Sequence, residues 1–265
     1  MKIPKVLVIR TAGTNCDVET SFAFKLCSCR VDLLHINKLV RSKTLINKYN
    51  IIALPGGFSY GDDIAAGKIL SNELRYKLKK ELKNFVSRGG LIIGICNGFQ
   101  VLIKSGLLPG SRNMVQEATL TVNDSNKFED RWVYLKSSSS SGKASRCVWT
   151  KGLSEVIYLP VAHGEGKFVA KNKTVLRTLE KNNQIVFRYC NGSGKAGVYP
   201  ANPNGSVLDI AGICDTTGRV LGLMPHPERH IFNTQHPRWT RNRGNVEPDG
   251  LKIFKNAVNY LKKRS

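Results

Sequence analysis

The chain has 265 residues, of which 41 are lysine or arginine and 19 are aspartate or glutamate, so its formal net charge is +22. Hydrophobic residues make up 41% of the chain, which is enough to bury a full core and excludes a disordered or collagen-like protein. No stretch approaches the roughly 18 consecutive apolar residues of a membrane span. We therefore expect a protein without membrane association, folded as a single α/β domain over residues 1–265.

The cysteines and the first residues bear on location. Seven cysteines are scattered without a disulfide-like spacing, which indicates a reducing compartment. The segment MKIPKVLVIRTAG has one short apolar run that is typical of a strand, whereas the apolar region of an export signal would be longer and would end at a small-residue cleavage site. Both observations predict a cytoplasmic protein.

Residues 1–110 alternate between short apolar strands and helices. Strands are predicted at Lys5–Arg10, 31–36, Ile51–Leu54 and Leu91–Ile95, and helices at 17–29, from 65, at 72–87 and at 99–106. Strands that are apolar throughout are typical of a parallel sheet whose two faces are covered by helices.

From residue 118 the sequence becomes β-rich, with polar or glycine-containing breaks. Antiparallel strands are predicted at 118–124, 132–136, 146–150, 156–162, 184–190 and 206–215, followed by a strand at 219–224 and a terminal helix at 250–262. The serine run 137–141 is interpreted as a flexible hairpin tip. The predicted fold class is α/β, with a mostly parallel central sheet, helices on both faces and an antiparallel β-rich portion.

The net charge raises the question of nucleic acid, because a basic surface attracts phosphate whatever its sequence. The basic residues are spread over the whole chain, however, and the densest stretch, 75–83, has leucines at helical spacing among its lysines. That pattern predicts an amphipathic helix with a solvated basic face. We expect no nucleic-acid partner, and docking of an acidic partner or attraction of phosphorylated substrates are the alternative roles of the charge.

Cys96 is the candidate nucleophile. It stands in Gly94-Ile95-Cys96-Asn97-Gly98, where an apolar strand ends and a helix begins, which is the context of a nucleophile elbow. Glycines are expected on both sides, because a Cβ there would collide with neighbouring backbone in so sharp a turn. The helix N-terminus favours the thiolate, and its N–H groups, beginning with that of Asn97, are placed to donate to an oxyanion. For a lone cysteine the alternative is a buried structural role.

A thiol nucleophile needs a base, and the base needs a third group that fixes its tautomer. His226 stands in Pro225-His226-Pro227-Glu228, where two prolines favour an extended segment with residues 226 and 228 on the same side. We therefore expect a hydrogen bond between His226 and Glu228. The alternative is a proline-rich surface turn.

The remaining cysteines lack the setting of Cys96 and are interpreted as structural: Cys16, Cys27, Cys29, Cys147, Cys190 and Cys214. Residues two apart on a helix point in different directions, so Cys27 and Cys29 do not predict a metal site and none is expected. Among the histidines, His35 lies in an apolar strand and is expected in the core.

The motif Gly-x-Cys-x-Gly-x-Gln at 94–100, with Pro-His-Pro-Glu far downstream, resembles the class I (triad) glutamine amidotransferases. Five further segments resemble the family of glutaminase subunits of phosphoribosylformylglycinamidine synthase, an enzyme of de novo purine biosynthesis; they lie at 55–67, 123–131, 159–166, 202–213 and 220–229. The resemblance covers nearly the whole chain, and its most specific segments are AHGEG and NPNGS.

The resemblance implies a flavodoxin-like class I glutamine amidotransferase fold and the hydrolysis of L-glutamine to glutamate and ammonia through a cysteine thioester. It places the nucleophile on Cys96, the base on His226 and the orienting carboxylate on Glu228.

It also implies oxyanion donors in the loop of Gly57 and Phe58 and at Asn97, and it places Gln100 and the 163–166 loop beside the glutamine pocket. Plainer alternatives are that Gly57 only makes a turn, that Gln100 is a helix surface residue, and that His163 contacts backbone alone.

No GxxxxGK[ST] loop is present, and PGGFSYGD lacks its lysine, so no ATP site and no metal or other cofactor is expected in this chain. The resemblance implies that ATP and magnesium belong to a larger synthetase subunit, which receives ammonia through a tunnel and converts formylglycinamide ribonucleotide to formylglycinamidine ribonucleotide. It also implies a small accessory subunit, and a partner that organises the oxyanion loop.

Two other functions compete with this interpretation. An intracellular cysteine peptidase or a chaperone-like hydrolase would use the same Cys–His pair, although the Pro-His-Pro-Glu and AHGEG segments argue against both. A non-catalytic binding module would use the basic surface and would not need Cys96.

Overall fold

A nine-stranded central sheet organises the computed structural model, which describes residues 3–110, 113–138, 146–241 and 247–264. The strands of the described residues are β1 (Lys5–Arg10), β2 (Arg30–His35), β3 (Ile51–Leu54), β4 (Leu91–Ile95), β5 (Ala118–Thr121), β6 (Glu129–Ser137), β7 (Val156–His163), β8 (Lys167–Ala170), β9 (Ile185–Cys190), β10 (Ile210–Cys214) and β11 (Val220–Leu223). Strands β5 and β8 form a separate two-stranded sheet, and the other nine form the central sheet. The order across the central sheet is β2-β1-β3-β4-β11-β10-β9-β6-β7.

The parallel side of the sheet consists of β2, β1, β3, β4 and β11, whose neighbouring pairs all run parallel. Strands β3, β4 and β11 are buried along their whole length. A strand without a polar face needs cover on both faces, so these runs dictate an α/β arrangement. The predicted fold class is confirmed, and β1, β3 and β4 have the predicted bounds.

The antiparallel side consists of β10, β9, β6 and β7. It continues the same sheet, because β10 pairs antiparallel with β11. One predicted strand is wrong: residues 146–150 contain a 3-10 turn at Val148–Thr150. Trp149 is fully buried there and its Nε1 donates to Arg219 O at 3.0 Å, so side-chain packing determines the backbone of this segment.

The helices are α1 (Asp17–Leu26), α2 (Ile36–Arg41), α3 (Lys68–Asn72), α4 (Lys79–Ser87), α5 (Asn97–Ser105), α6 (Lys173–Lys181) and α7 (Asp249–Lys262). Helix α1 ends before the predicted residue 29, because Ser28 has a φ of +61°. The predicted helix 72–87 is divided by a π-helical turn over Glu73–Lys77. Helix α4 buries Leu82 and Phe85 and exposes lysines on its opposite face, as its periodicity predicts.

The predicted core position of His35 is wrong. It ends β2 with an exposed side chain, and its Nδ1 accepts a hydrogen bond from the N–H of Asn37 at 3.2 Å at the start of α2. The hydrogen bond that caps α2, and not the alternation of side chains along β2, therefore determines where the His35 side chain lies.

Three expectations concern the chain as a whole. No helix within the described ranges is both long and apolar enough to cross a membrane. Residues 139–141 of the serine run lie outside the described residues, as do residues 242–246, so the hairpin tip stays a prediction. The single domain over 1–265 also stays a prediction.

Candidate active site

The carboxyl ends of β1, β3, β4 and β11 meet at one edge of the sheet, because these strands run parallel. A cavity of about 440 Å³ opens there. In open α/β sheets ligands bind in the crevice outside these ends. Five of the predicted site residues line the cavity, namely Gly57, Phe58, Cys96, Gln100 and His226.

Cys96 directly follows β4 and has a φ of +52° and a ψ of −108°. A non-glycine residue in this region costs about 1–3 kcal/mol, and such strain clusters at functional sites. The predicted collisions are confirmed: a Cβ on Gly94 would lie 2.5 Å from Gly98 O, and one on Gly98 would lie 1.9 Å from Leu54 O. The turn therefore holds the thiol at the start of α5, beside Ala162 O at 3.6 Å.

His226 and Glu228 form the predicted pair. His226 Nδ1 lies 2.7 Å from Glu228 Oε1, and both side chains are buried. The predicted backbone is wrong in one respect, since only His226 is extended and Glu228 lies in a 3-10 turn at Pro227–Arg229. The His226 N–H donates to Pro160 O at 2.8 Å, which anchors this turn to β7.

The electrostatics of His226 favour its protonated form. Burial alone would lower the pKa of the imidazole, but the negative charges of Glu228 and Cys96 more than offset it, so that pKa lies well above its ordinary value. Because the carboxylate accepts from Nδ1–H, Nε2 is the nitrogen left for chemistry. Among the described residues Nε2 has no hydrogen-bond partner.

The loop after β3 holds the predicted oxyanion donors. Gly57 has a φ of +131°, and a Cβ there would lie 2.7 Å from Asn15 N, so the turn needs glycine. The Phe58 N–H donates to Gly13 O at 2.9 Å and is engaged within the loop in this conformation. Asn97 Oδ1 accepts from the Ser59 N–H at 3.2 Å, which ties the loop to α5.

Gln100 joins two walls of the cavity. Its Oε1 accepts from Asn97 Nδ2 at 2.9 Å, and its Nε2 donates to Glu165 O at 2.6 Å. The side chain is buried, so the alternative of a helix surface residue is wrong. Helix α5 is thereby connected to the loop 163–166.

His163 contacts more than backbone. Its Nδ1 lies 3.2 Å from Asn123 Oδ1, which also accepts from the Gly166 N–H at 2.9 Å. Burial, with a smaller contribution from the charge of His226, lowers the pKa of His163 to about 3. His163 is therefore neutral where His226 is charged.

Cys16 was expected to be structural, but it also lies at this site. Cys16 lines the cavity, and its Sγ, a ring nitrogen of His226 and a carboxylate oxygen of Glu228 all lie within 4.8 Å of one another. Arg229 Nη2 donates to Cys16 Sγ at 3.3 Å. Burial raises the pKa of the Cys16 thiol, although the nearby His226 opposes the shift. The position of Cys16 after a parallel strand was the signal available in the sequence.

The chain matches, over residues 3–261, the family described as the CobB/CobQ-like glutamine amidotransferase domain. It is 48% identical over 259 residues to a Dehalococcoides mccartyi protein named phosphoribosylformylglycinamidine synthase subunit PurQ, a match that covers 97% of this chain and 98% of that protein. An Archaeoglobus fulgidus protein of the same name is 41% identical over 274 residues, with 98% and 97% covered.

Solved structures agree with these matches. A chain in the structure of PurLQS from Thermotoga maritima is 30% identical with a TM-score of 0.73, and the match covers 98% of this chain and 100% of that chain. A glutamine amidotransferase from the same organism is 16% identical with a TM-score of 0.56, and the match covers 100% of both chains. This likeness shows a shared fold.

Proposed function

The chain belongs to the CobB/CobQ-like glutamine amidotransferase domain family, and from this premise we propose that it hydrolyses L-glutamine and supplies the ammonia to a synthetase of purine biosynthesis. The observation that carries the proposal is the convergence of a strained thiol and a buried imidazole–carboxylate pair on one cavity. Cys96 is the nucleophile, His226 the general acid and base, and Glu228 the group that orients the imidazole.

The first half-reaction releases ammonia. The Cys96 thiolate attacks the side-chain amide carbon of glutamine, and the carbonyl oxygen becomes an oxyanion. The Asn97 N–H at the start of α5 and the Gly57 and Phe58 loop stabilise this oxyanion. The His226 imidazolium gives its Nε2 proton to the amide nitrogen, which leaves as ammonia, and a thioester remains on Cys96.

The second half-reaction restores the enzyme. Neutral His226 takes a proton from water, the hydroxide adds to the thioester carbon, and the C–S bond breaks to release glutamate and the Cys96 thiolate. The raised pKa of His226 suits the first step, because the imidazolium is present when the leaving amide nitrogen has to be protonated.

The oxyanion loop indicates why a partner matters. With the Phe58 N–H directed to Gly13 O, the second donor is not yet available to a substrate. Only a movement of the loop around Gly57 releases it. We therefore infer that a docked synthetase subunit organises this loop and that the isolated chain is a weak glutaminase.

The partner chemistry follows from the relatives. The similarity to proteins named phosphoribosylformylglycinamidine synthase subunit PurQ supports a synthetase partner. We propose that this partner is a larger subunit, which uses ATP and magnesium to convert formylglycinamide ribonucleotide to formylglycinamidine ribonucleotide. The PurLQS structure supports an additional small accessory subunit. The chain itself needs no cofactor in this scheme, and we place it in the cytoplasm.

The deciding experiment is glutamate release from glutamine by the full chain, alone and with the synthetase subunit, ATP and formylglycinamide ribonucleotide. Activity is expected to rise with the partner and to fall roughly 10³-fold or more in Cys96→Ala. Cys190→Ala is the matched control, because Cys190 is also buried but lies in β9 and does not line the cavity.

The outcomes separate the competing functions. Glutamate release that is equal in Cys96→Ala and the parent contradicts the proposal and leaves the binding module. Hydrolysis of peptides but not of glutamine, abolished in the same variant, assigns the chain to the peptidase alternative.

A further inference from the structure

A second cavity lies at the opposite edge of the sheet from Cys96. It is found where β1, β2, β3 and β4 begin, and the end of α7 supplies part of its wall. Its volume is about 710 Å³, which exceeds that of the cavity of Cys96. Because these strands are short and rise about 3.3 Å per residue, roughly 15–20 Å separate the two cavities. The proposed glutaminase mechanism makes no use of this second space.

The lining of the second cavity is cationic. Five of the thirteen described residues that line it are lysine or arginine, and none is aspartate or glutamate. No ion pair joins any of the five to a carboxylate of the described residues, whereas Arg229 pairs with Glu19 elsewhere. Asp32 accepts from Tyr49 Oη at 2.9 Å but does not itself line the cavity. The basic cavity is defined by its five cationic residues, Lys5, Arg30, Lys48, Arg88 and Arg264.

Two of these arginines are held in position by the protein. The Arg88 guanidinium donates to Ile46 O at 3.0 Å and to Asn47 O at 3.3 Å. Arg264 Nη1 donates to Tyr260 Oη at 2.6 Å. Each guanidinium has five N–H donors, so most of them stay available to a ligand. Binding therefore costs less side-chain entropy than it would with freely moving arginines.

The fold brings these two arginines to one wall from distant parts of the chain. Arg88 precedes β4, whereas Arg264 follows α7. Gly89 has a φ of +97°, and a Cβ on it would lie 3.0 Å from Arg264 Nη1, so the Arg264 guanidinium packs against the residue next to Arg88. All five cationic residues are exposed, and water and salt therefore screen their mutual repulsion. The fold tolerates this cluster without an anion, but an anion would be attracted to it.

We propose that the basic cavity binds a small anion that carries a chain of two or more phosphate groups, as nucleoside polyphosphates and inorganic polyphosphates do. Arginine binds phosphate oxygens through two parallel N–H bonds, and lysine adds positive charge. One phosphate group carries about two negative charges, fewer than the five positive charges of the lining. The volume lies within the range of about 300–1,000 Å³ that is usual for small-molecule sites.

No sequence motif marks such a site. A GxxxxGK[ST] loop binds phosphate mainly through backbone N–H groups and one lysine of a single segment. The basic cavity instead takes its cationic side chains from five separate segments, which only the fold brings together. The site uses part of the net charge of +22 that the proposed function leaves without a role. Its ligand takes no part in glutamine hydrolysis, so the inference does not rest on the proposed function.

Isothermal titration calorimetry of the full chain at about 0.15 M salt tests the binding. The probes are sodium tripolyphosphate, ATP without magnesium, AMP and a hexaglutamate peptide. The parent is compared with a double variant, Arg30→Gln with Arg264→Gln, which removes two charges from the basic cavity. The matched control, Lys80→Gln with Lys83→Gln, removes two charges from exposed lysines of α4 that do not line it.

We expect one site for tripolyphosphate and for ATP in the parent and the control. The affinity should be about 100-fold weaker in the arginine variant, because two charge-assisted contacts are lost. Equal affinities in the arginine variant and the control overturn the inference, since net charge alone then explains the binding. Urea unfolding of both variants verifies that each is folded.

The probes distinguish the sources of the phosphate chain. Equal affinities for tripolyphosphate and ATP assign the site to the phosphate chain alone, whereas a more than 10-fold tighter binding of ATP identifies a nucleotide site. AMP bound as tightly as ATP contradicts the need for a phosphate chain. A hexaglutamate peptide bound as tightly as tripolyphosphate overturns the inference in favour of an acidic protein partner.

A measurement without any variant locates the ligand. Hydrogen exchange of the parent with tripolyphosphate is expected to slow at 47–50 and 88–90 and to stay unchanged at 57–61, beside Cys96. Protection confined to 57–61 would place the anion in the cavity of Cys96 and overturn the inference. Cys96→Ala should bind tripolyphosphate as the parent does, so a chain that binds it but never hydrolyses glutamine contradicts only the proposed function.

Discussion

The two sides of the central sheet contribute different things to the cavity. Gly57, Cys96 and His226 all follow strands of the parallel side, and they supply the oxyanion loop, the nucleophile and the base of the proposed mechanism. The antiparallel side supplies the loop 163–166 and the segment just before β6, which form the opposite wall.

The difference has a topological origin. Parallel strands deliver all their carboxyl ends to one edge, so chemistry-bearing loops converge there without further design. Antiparallel strands alternate their ends, and only every second loop reaches the same edge. In the proposed mechanism the parallel side therefore carries the reaction, and the antiparallel side shapes the space in which it occurs.

The severest test of that division compares two glycines. Gly98→Ala places a Cβ 1.9 Å from Leu54 O on the parallel side, whereas Gly164→Ala on the opposite wall meets only Phe128, at 3.9 Å. Since backbone cannot yield by that much, we expect Gly98→Ala to lose about 4–5 kcal/mol of unfolding free energy or to prevent folding. Gly164→Ala should stay within about 1 kcal/mol, and urea unfolding measures both. Equal costs would show that the turn around Cys96 is not the constrained one.

Glu228→Gln tests the electrostatics of the parallel side. The charge of Glu228 raises the pKa of His226, so removing it lowers that pKa and the imidazolium is lost at lower pH. We expect kcat/KM for glutamine to fall about 10²–10⁴-fold and the alkaline limb of its pH profile to move to lower pH. Glu180→Gln, an exposed glutamate of α6, is the control. An unmoved alkaline limb would contradict the assigned role.

His163 tests the antiparallel wall through stability. Its folded pKa of about 3 lies below the ordinary value of 6.5, so the unfolded chain binds the extra proton and stability falls as pH drops below 6.5. Between pH 7 and 4 this histidine should cost about 3 kcal/mol. In His163→Gln the stability difference between these two pH values should shrink by that amount, as measured by denaturant unfolding. The exposed His35→Gln is the control, and an equal slope in both variants would refute the account.

The smallest expected effect concerns shape alone. Phe128 lines the cavity just before β6, with 54% of its surface exposed. In Phe128→Ala we expect KM for glutamine to rise about 3–10-fold with kcat unchanged, because only uniform binding is lost. Phe22→Ala removes an exposed phenylalanine outside the cavity and should change neither constant. A large fall in kcat would mean that the antiparallel wall takes part in the reaction.

The sequence was most informative where local chemistry decides the structure. The continuous apolar runs of β3 and β4 gave correct bounds, because a fully buried strand leaves no polar residue to blur its ends. The glycines around Cys96 predicted a turn that the atoms confirm, with backbone 1.9 Å from the missing Cβ of Gly98.

Prediction from the sequence was wrong where contacts between residues distant in the chain determine the structure. Trp149 draws residues 146–150 out of strand geometry because its ring is buried against Arg219 O, a partner remote in the sequence. Cys16 follows a predicted parallel strand, but no motif around it marks a site, and the shared edge at which β1 and β11 end brings it to His226. The segments of the antiparallel wall were reached through family resemblance alone.

The pairing of β4 with β11 has a consequence during synthesis. Ile92 of β4 lies opposite Val220 of β11, so a ribosome has to translate most of the chain before this edge of β4 acquires its neighbour. Until then a nascent chain presents Leu91–Ile95 as an unpaired apolar edge, the kind of surface that chaperones recognise. The same delay is a safeguard, because His226 emerges directly after β11 and a truncated polypeptide therefore carries the Cys96 thiol without its proposed base.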